Sequence, residues 1–207
     1  MPVGRSTPTP GEPDPTEAPA DRFAATLASA RLGDEQAFAE IWRLFNPPLV
    51  RFLASLAGRG DAEDLASATW VEVVRSLDSF SGTDAGFRSW LFTIARHRML
   101  DLRRAQARRP RADVEVPEQW LNGVPGPEAI VVAAGDTEAA LALIGQLPPD
   151  QAEVVLLRTV VGMDVAEVAA IVGKSPGAVR VLAHRGLRTL AGRLADASGA
   201  LTSRTEV

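Results

Sequence analysis

A chain of 207 residues is long enough for one or two small domains, each with a core of its own. Its 46% hydrophobic and 23% charged residues are those of an ordinary soluble protein, and the absence of Cys excludes a disulfide framework, a thiolate zinc site and a cysteine nucleophile. The net charge of −4 speaks mildly against a protein that coats nucleic acid, but the charge is segregated along the chain.

The opening stretch, MPVGRSTPTPGEPDPTEAPA, has no apolar core and so reads as neither a signal peptide nor an anchor. Its Pro, Thr and acidic residues predict a disordered tail over 1–20. No later stretch approaches the roughly 20 consecutive apolar residues that span a bilayer, so no membrane insertion is expected. Past the tail, apolar residues recur at three- and four-residue spacing, and no run alternates with period two for long enough to make a strand. Gly and Pro place breaks at Asn46-Pro47-Pro48, Gly58-Arg59-Gly60, Ser81-Gly82, Gly123 to Pro127, Pro148-Pro149 and Gly173. The expected fold is all-α: two small helical domains, at 21–109 and 138–195, joined by a flexible acidic linker at 110–137 and followed by a tail at 196–207.

In the first domain, Asp61-Ala62-Glu63-Asp64-Leu65 opens a helix reaching about Leu77, with acids where the helix dipole favours them. Taken alone, this is capping. The stretch Gly86–Arg109, GFRSWLFTIARHRMLDLRRAQARR, carries more information. Phe87, Trp90, Leu91, Ile94 and Leu102 share one face and should pack inward, which makes Trp90 a core residue rather than a platform for an exposed base. Arg88, Arg96 and Arg103 project to the other side, with His97 and Arg104 on the flank, and Arg98 and Asp101 are spaced to pair at i, i+3. A helix this basic, ending in Arg108-Arg109-Pro110-Arg111, suits a phosphate backbone.

From Ala112 to Glu138 the sign reverses, with Asp113, Glu115, Glu118, Glu128, Asp136 and Glu138 and no Lys or Arg, and the stretch from about Pro110 to Thr137, with its repeated Pro and Gly, is a linker by composition. Within it Trp120-Leu121 and Ile130-Val131-Val132 are apolar enough to dock or form short helices. Beyond it, Asp164 and Glu167 form a capping-box pair, the helix Val165–Val172 stops at Gly173, and Ser175-Pro176 caps and opens the next helix. Two short helices about a tight Gly turn make a helix-turn-helix, with Ala169, Gly173 and Val179 at the small, turn and buried positions. On the second helix Val179, Leu182, Ala183, Gly186 and Leu190 form an apolar face, opposite Arg180, His184, Arg188 and, further round, Arg185. That cationic face is suited to phosphates and major-groove base edges.

Four stretches in register resemble the extracytoplasmic-function (ECF) sigma factors, the small alternative class of bacterial sigma factors in the sigma-70 family. They are ARLGDEQAFAEIWRLFNPPLVRFL, DAEDLASATWVEVVRSLDSFSG, FRSWLFTIARHRMLDLRR and LPPDQAEVVLLRTVVGMDVAEVAAIVGKSPGAVRVLAHRGLRTL, spanning about Ala24 to Leu194. The resemblance implies a cytoplasmic protein that binds core RNA polymerase and promoter DNA, uses no cofactor or metal, and has no catalytic residues. An anti-sigma factor is a common partner in this family.

The family's roles carry over onto matching positions. Asp61, Glu63, Asp64, Leu65 and Glu72 fall on the surface that grips the polymerase clamp helices. The loop Asp78–Asp84, with Ser79 and Phe80, and the helix residues Arg88, Arg96, His97, Arg103 and Arg104 fall on the part that melts and reads the −10 element, where a flipped-out base sits beside the loop. Ser175, Pro176, Gly177, Arg180, His184, Arg185 and Arg188 fall on the helix that reads the −35 element. The acidic linker is expected to thread the polymerase's RNA path. Three departures stand out: His97 where many members carry Asn, Ser67-Ala68 in place of a common Gln-Glu pair, and Val181-Leu182 where many have polar or basic residues.

A helix-turn-helix regulator acting without polymerase accounts for the C-terminal domain but not for a second basic helix or an acidic linker. An enzyme fits poorly. Gly173-Lys174-Ser175 resembles the end of a phosphate loop, yet Val168 stands where its Gly is required, and His97 and His184 lie in different domains without a ligand partner. A purely structural helical protein has no use for two Arg-rich faces.

Overall fold

The computed structural model describes residues 19–108 and 137–204. The expected acidic linker and N-terminal tail fall outside the described residues, except for Pro19-Ala20 and Thr137, which open helices. Among the described residues all regular structure is helical: α1 (Pro19–Arg31), α2 (Glu35–Ala57), α3 (Arg59–Ser76), a 3-10 turn (Leu77–Ser79), α4 (Asp84–Arg108), α5 (Thr137–Gly145), α6 (Pro149–Thr159), α7 (Val165–Val172) and α8 (Pro176–Arg204). The stretch 196–204, expected as a tail, continues α8.

Asp34 caps α2, its Oδ1 accepting from the backbone N–H of Gln36 (2.9 Å) and Ala37 (3.2 Å). The helix then buries Ile41, Phe45, Leu49, Phe52 and Leu53 along one stripe. It does not break at Pro47-Pro48, as the sequence predicted, but runs straight through them. Two prolines remove the N–H groups that would bond the carbonyls of Arg43 and Leu44, at a cost of about 3 kcal/mol or more for an interior position. Arg43, Leu44 and Pro47 are all exposed, so water reaches the freed carbonyls, and the buried stripe on the far side outweighs the loss. Asn46, beside the prolines, accepts from Trp70 Nε1 at 3.0 Å and ties α2 to α3.

The chain reverses at Gly58, whose φ of +91° favours glycine, and α3 returns along α2. Phe23, Phe45 and Phe87, from α1, α2 and α4, meet with ring centroids 5.0–6.0 Å apart. In the second group, α8 crosses α6 so closely that a Cβ on Gly186 would stand 2.7 Å from Val155 Cγ2. The two groups also pack on each other: α2 lies against α5 and α6, α4 lies against α7, and their buried residues form one continuous core.

Candidate nucleic-acid interface

The helix-turn-helix is set by local chemistry. Asp164 Oδ1 accepts from the Glu167 N–H (2.8 Å), and Glu167 Oε2 accepts from the Asp164 N–H (2.7 Å), closing the capping box at the start of α7. Gly173 ends the helix in the left-handed region at φ 67°, ψ 35°. Ser175 Oγ then accepts from the Ala178 N–H (3.2 Å) and starts α8. Val179 and Ala169 are buried where the two helices meet.

These contacts fix how α8 is rotated. Val179 and Gly186 are buried, with Leu182, Ala183 and Leu190 packed against the core. Ser175, Pro176, Gly177, Arg180, His184, Arg185 and Arg188 are all exposed on the outer side. The seven residues expected to meet the −35 element thus lie together on the free face of one helix. Val181 is exposed among them and is half accessible.

The basic helix α4 is placed differently. Phe87, Leu91, Phe92, Ala95 and Met99 are buried along one broad face that reaches round toward Arg96 and Arg103, and the expected open face for Arg88, Arg96 and Arg103 is largely occupied. Arg96 Nε donates to Glu153 Oε1 of α6 at 2.7 Å, Arg88 Nη1 donates to the Val161 carbonyl at 3.4 Å, and Arg103 Nη2 donates to the Leu56 carbonyl at 2.7 Å. His97 and Arg104 are exposed. Arg98 pairs not with Asp101 but with Glu72 of α3 (2.9 Å), while Asp101 pairs with Arg104 (3.2 Å). Both choices follow from packing: α3 lies against the Arg98 side of α4, leaving Asp101 outside with Arg104 for company.

Before α4 the loop holds Phe80 stacked on Trp90, with centroids 4.9 Å apart and planes at 24°, and Phe87 edge-on to both. Trp90 is therefore a partly buried packing residue, and Ser79 is exposed at the rim. On α3, Glu63 and Asp64 are exposed, Asp61 accepts from Gln106 Nε2 (3.3 Å), and Glu72 is held by Arg98. Leu65 is buried, so it can only support that surface from beneath. Exposed Val71 and Val74 continue the same outward side of α3.

Sequence reasoning missed Glu153, the one charged residue buried among the described residues, and Ser89, whose Oγ donates to Glu167 Oε1 across the two helical groups (3.2 Å). It also missed Gly145, where a Cβ would stand 2.7 Å from the Ser55 carbonyl oxygen. A carboxylate at the head of the apolar run Val154–Leu157 was the available signal for Glu153. Among the described residues no group of three or more His, Cys, Asp or Glu is placed to hold a metal ion, and no helix is long and apolar enough to cross a membrane.

Residues 41–109 match the family model of sigma-70 region 2, and residues 137–190 match that of sigma-70 region 4. The ECF RNA polymerase sigma factor ShbA of Streptomyces griseus is 36% identical over 178 residues, covering 81% of this chain and 93% of that one. The ECF RNA polymerase sigma factor SigD of Mycobacterium tuberculosis is 32% identical over 176 residues, 82% of each. The RNA polymerase sigma factor CnrH of Cupriavidus metallidurans is 32% identical over 168 residues, 77% of this chain and 86% of that one. A solved structure of CnrH in complex with the cytosolic domain of CnrY aligns with a TM-score of 0.57 at 26% identity, over 83% of this chain and 96% of that one. With both sigma-70 regions in order and relatives above 30% identity along most of its length, the chain belongs to the extracytoplasmic-function family of RNA polymerase sigma factors.

Proposed function

We propose that this chain is an alternative sigma factor that binds core RNA polymerase in the cytoplasm and directs initiation at promoters bearing its −10 and −35 elements. The reading rests above all on α8, where a capped Gly turn sets a cationic outer face at the N-terminal half of a helix. Arg180, His184, Arg185 and Arg188 read −35 base edges and phosphates there, and Ser175, Pro176 and Gly177 bring the helix N-terminus to the backbone.

The second contact is made by the loop and α4. Ser79 and Phe80 border the site of the unpaired −10 base, and His97, Arg104, Arg88, Arg96 and Arg103 follow the strand. Glu63, Asp64 and the outer side of α3 meet the polymerase, with Asp61, Glu72 and Leu65 holding that helix in place. Each DNA contact alone is weak, and polymerase fixes the spacing of the two so that the second becomes intramolecular. The protein supplies recognition rather than catalysis, takes no cofactor, and is open to control by an anti-sigma factor.

Run-off transcription with purified core polymerase on a library of promoter fragments tests the proposal. Initiation from a defined subset, dependent on the protein, is expected and yields the promoter motif. DNA binding without any effect on polymerase would overturn it in favour of an independent helix-turn-helix regulator.

A further inference from the structure

We infer that Arg31, at the end of α1, is a positioning residue for −10 recognition: it holds in register the loop that borders the unpaired base, without touching DNA itself. The inference rests on the reading of that loop as the −10 base site. It gives a role to α1, which lies ahead of the matched part of region 2 that begins at residue 41.

A basic residue in the last turn of a helix ordinarily serves the carbonyls of its own helix end. Arg31 does not. Its Nε donates at 3.1 Å to the carbonyl of Leu77, 46 positions on, where α3 gives way to the 3-10 turn. The same carbonyl accepts from the Phe80 N–H at 3.1 Å, the bond that closes the turn. One oxygen therefore ties the start of the loop both to its own backbone and to α1. Arg31 Nη2 is buried as well, and among the described residues it has no hydrogen-bond partner. A guanidinium free to satisfy itself would turn that arm to water, since a buried unmet donor is costly. Packing between α1 and the turn holds it in place against that cost.

A second contact between α1 and the loop runs through the rings beneath it. Phe23 of α1 lies 5.7 Å from Phe87, Phe87 stands edge-on to Phe80 at 5.5 Å, and Phe80 stacks on Trp90. The tip of the loop folds over the same ring, where a Cβ on Gly82 would fall 3.0 Å from Phe80 Cζ. At the far end the Phe87 N–H donates to the Thr83 carbonyl at 2.8 Å and starts α4. Asp78, Ser79, Ser81, Gly82 and Thr83 are exposed between these anchors. So short a span cannot absorb a shift at Leu77 before it reaches the residues that border the base. An unstacked base is read by contacts at fixed places, so a displaced loop weakens the right base more than the wrong ones. Phe23, Leu27 and Ala30 bury α1 independently of Arg31, and losing the guanidinium frees the turn without undocking the helix.

The test compares two variants. Arg31→Met keeps the length of the stem and removes every donor. Arg31→Gln places its Nε2 as many bonds from Cα as the arginine Nε, and carries no charge. Run-off transcription with purified core polymerase is scored on promoters bearing each of the four bases at each −10 position, with −35 substitutions as the control. Arg31→Met is expected to lose about tenfold at the −10 position where the wild type discriminates most, a loss on the scale of one charge-assisted hydrogen bond. Its −35 discrimination should be unchanged, and Arg31→Gln should recover most of the loss.

Equal weakening on every −10 base, with Gln no better than Met, would make Arg31 a phosphate contact. Equal loss at both elements would make it a support of the fold. Either result overturns the inference, as does wild-type discrimination in Arg31→Met. Phe80→Leu, a change in the loop itself, separates this from the reading it rests on. Discrimination lost in Phe80→Leu but kept in Arg31→Met removes Arg31 alone. Discrimination kept in both removes the loop from −10 recognition and Arg31 with it, and a wild type that initiates nowhere removes both. Should Arg31→Met lose helical circular dichroism, Arg31→Gln against Arg31→Glu, alike in shape and differing in the donor, decides in its place.

Discussion

Arg180 and Arg188 stand on the outer face of α8, about 12 Å apart along the axis at 1.5 Å per residue. Among the described residues neither has an ion-pair partner, and both are exposed. Arg180→Ala or Arg188→Ala is expected to weaken promoter binding by ~1–3 kcal/mol where the guanidinium meets a base edge. Gel-shift titration against point-substituted promoters separates the outcomes: lost discrimination at one base pair marks a base contact, and equal weakening on every sequence marks a phosphate contact. An Arg180, Arg188 double variant that transcribes as well as the wild type would remove α8 from promoter reading. These residues were legible in the sequence because a helix interior forces its period on the chain: once Val179 and Gly186 are inward, Arg180, His184 and Arg188 have nowhere to go but outward. Arg98 was not legible in the same way. Its partner, Glu72, lies 26 positions away, and only the packing of α3 on α4 brings it nearer than Asp101.

Between helices the balance turns on single atoms. Glycine inside a helix ordinarily costs ~0.5–1 kcal/mol relative to alanine, so Gly186→Ala on α8 would be expected to stabilise the protein. The crossing of α8 over α6 reverses the sign, because the new Cβ would lie 2.7 Å from Val155 Cγ2 and 3.4 Å from Leu147 Cδ1. The expected result is a loss of ~1–3 kcal/mol, typical of overpacking, with a lower Tm by calorimetry and a weakened −35 contact, since α6 supports the reading helix. A rise in Tm would mean that α6 and α8 can separate freely. The helix-turn-helix itself was readable from Asp164, Glu167, Gly173 and Ser175, because capping and turn chemistry are local. The continuity of α2 was not. Proline is the strongest local sign of a break, and what overrides it here is a tertiary fact: the freed carbonyls face water while Phe45, Leu49 and Phe52 are held in the core.

At the scale of the whole molecule, the sequence suggested two domains on a tether, and the structure has the described parts of both joined through one core. The basic α4 read as a face for a phosphate backbone, and Glu153 of the second domain carried no reading of its own. They are instead partners, because Glu153 and Arg96 meet only when the domains do, and no local pattern marks a contact across 57 residues.

This has a consequence for unfolding. Trp42, Trp70 and Trp90 lie in the first helical group and no tryptophan lies in the second, whereas helices lie in both. Tryptophan fluorescence therefore follows the first helical group, and far-ultraviolet circular dichroism follows both. Two domains that merely share a chain would unfold at separate denaturant midpoints, with the dichroism curve broader than the fluorescence curve. A continuous core, with a largely covered ion pair bridging the two groups, couples them. The urea transitions of the wild type are expected to coincide by the two probes, with an m value appropriate to the combined surface. In Glu153→Gln the fluorescence and dichroism midpoints should move apart, because each group then unfolds on its own stability. Separate midpoints already in the wild type would show that the seam between α4, α6 and α7 contributes too little to hold the molecule as one cooperative unit.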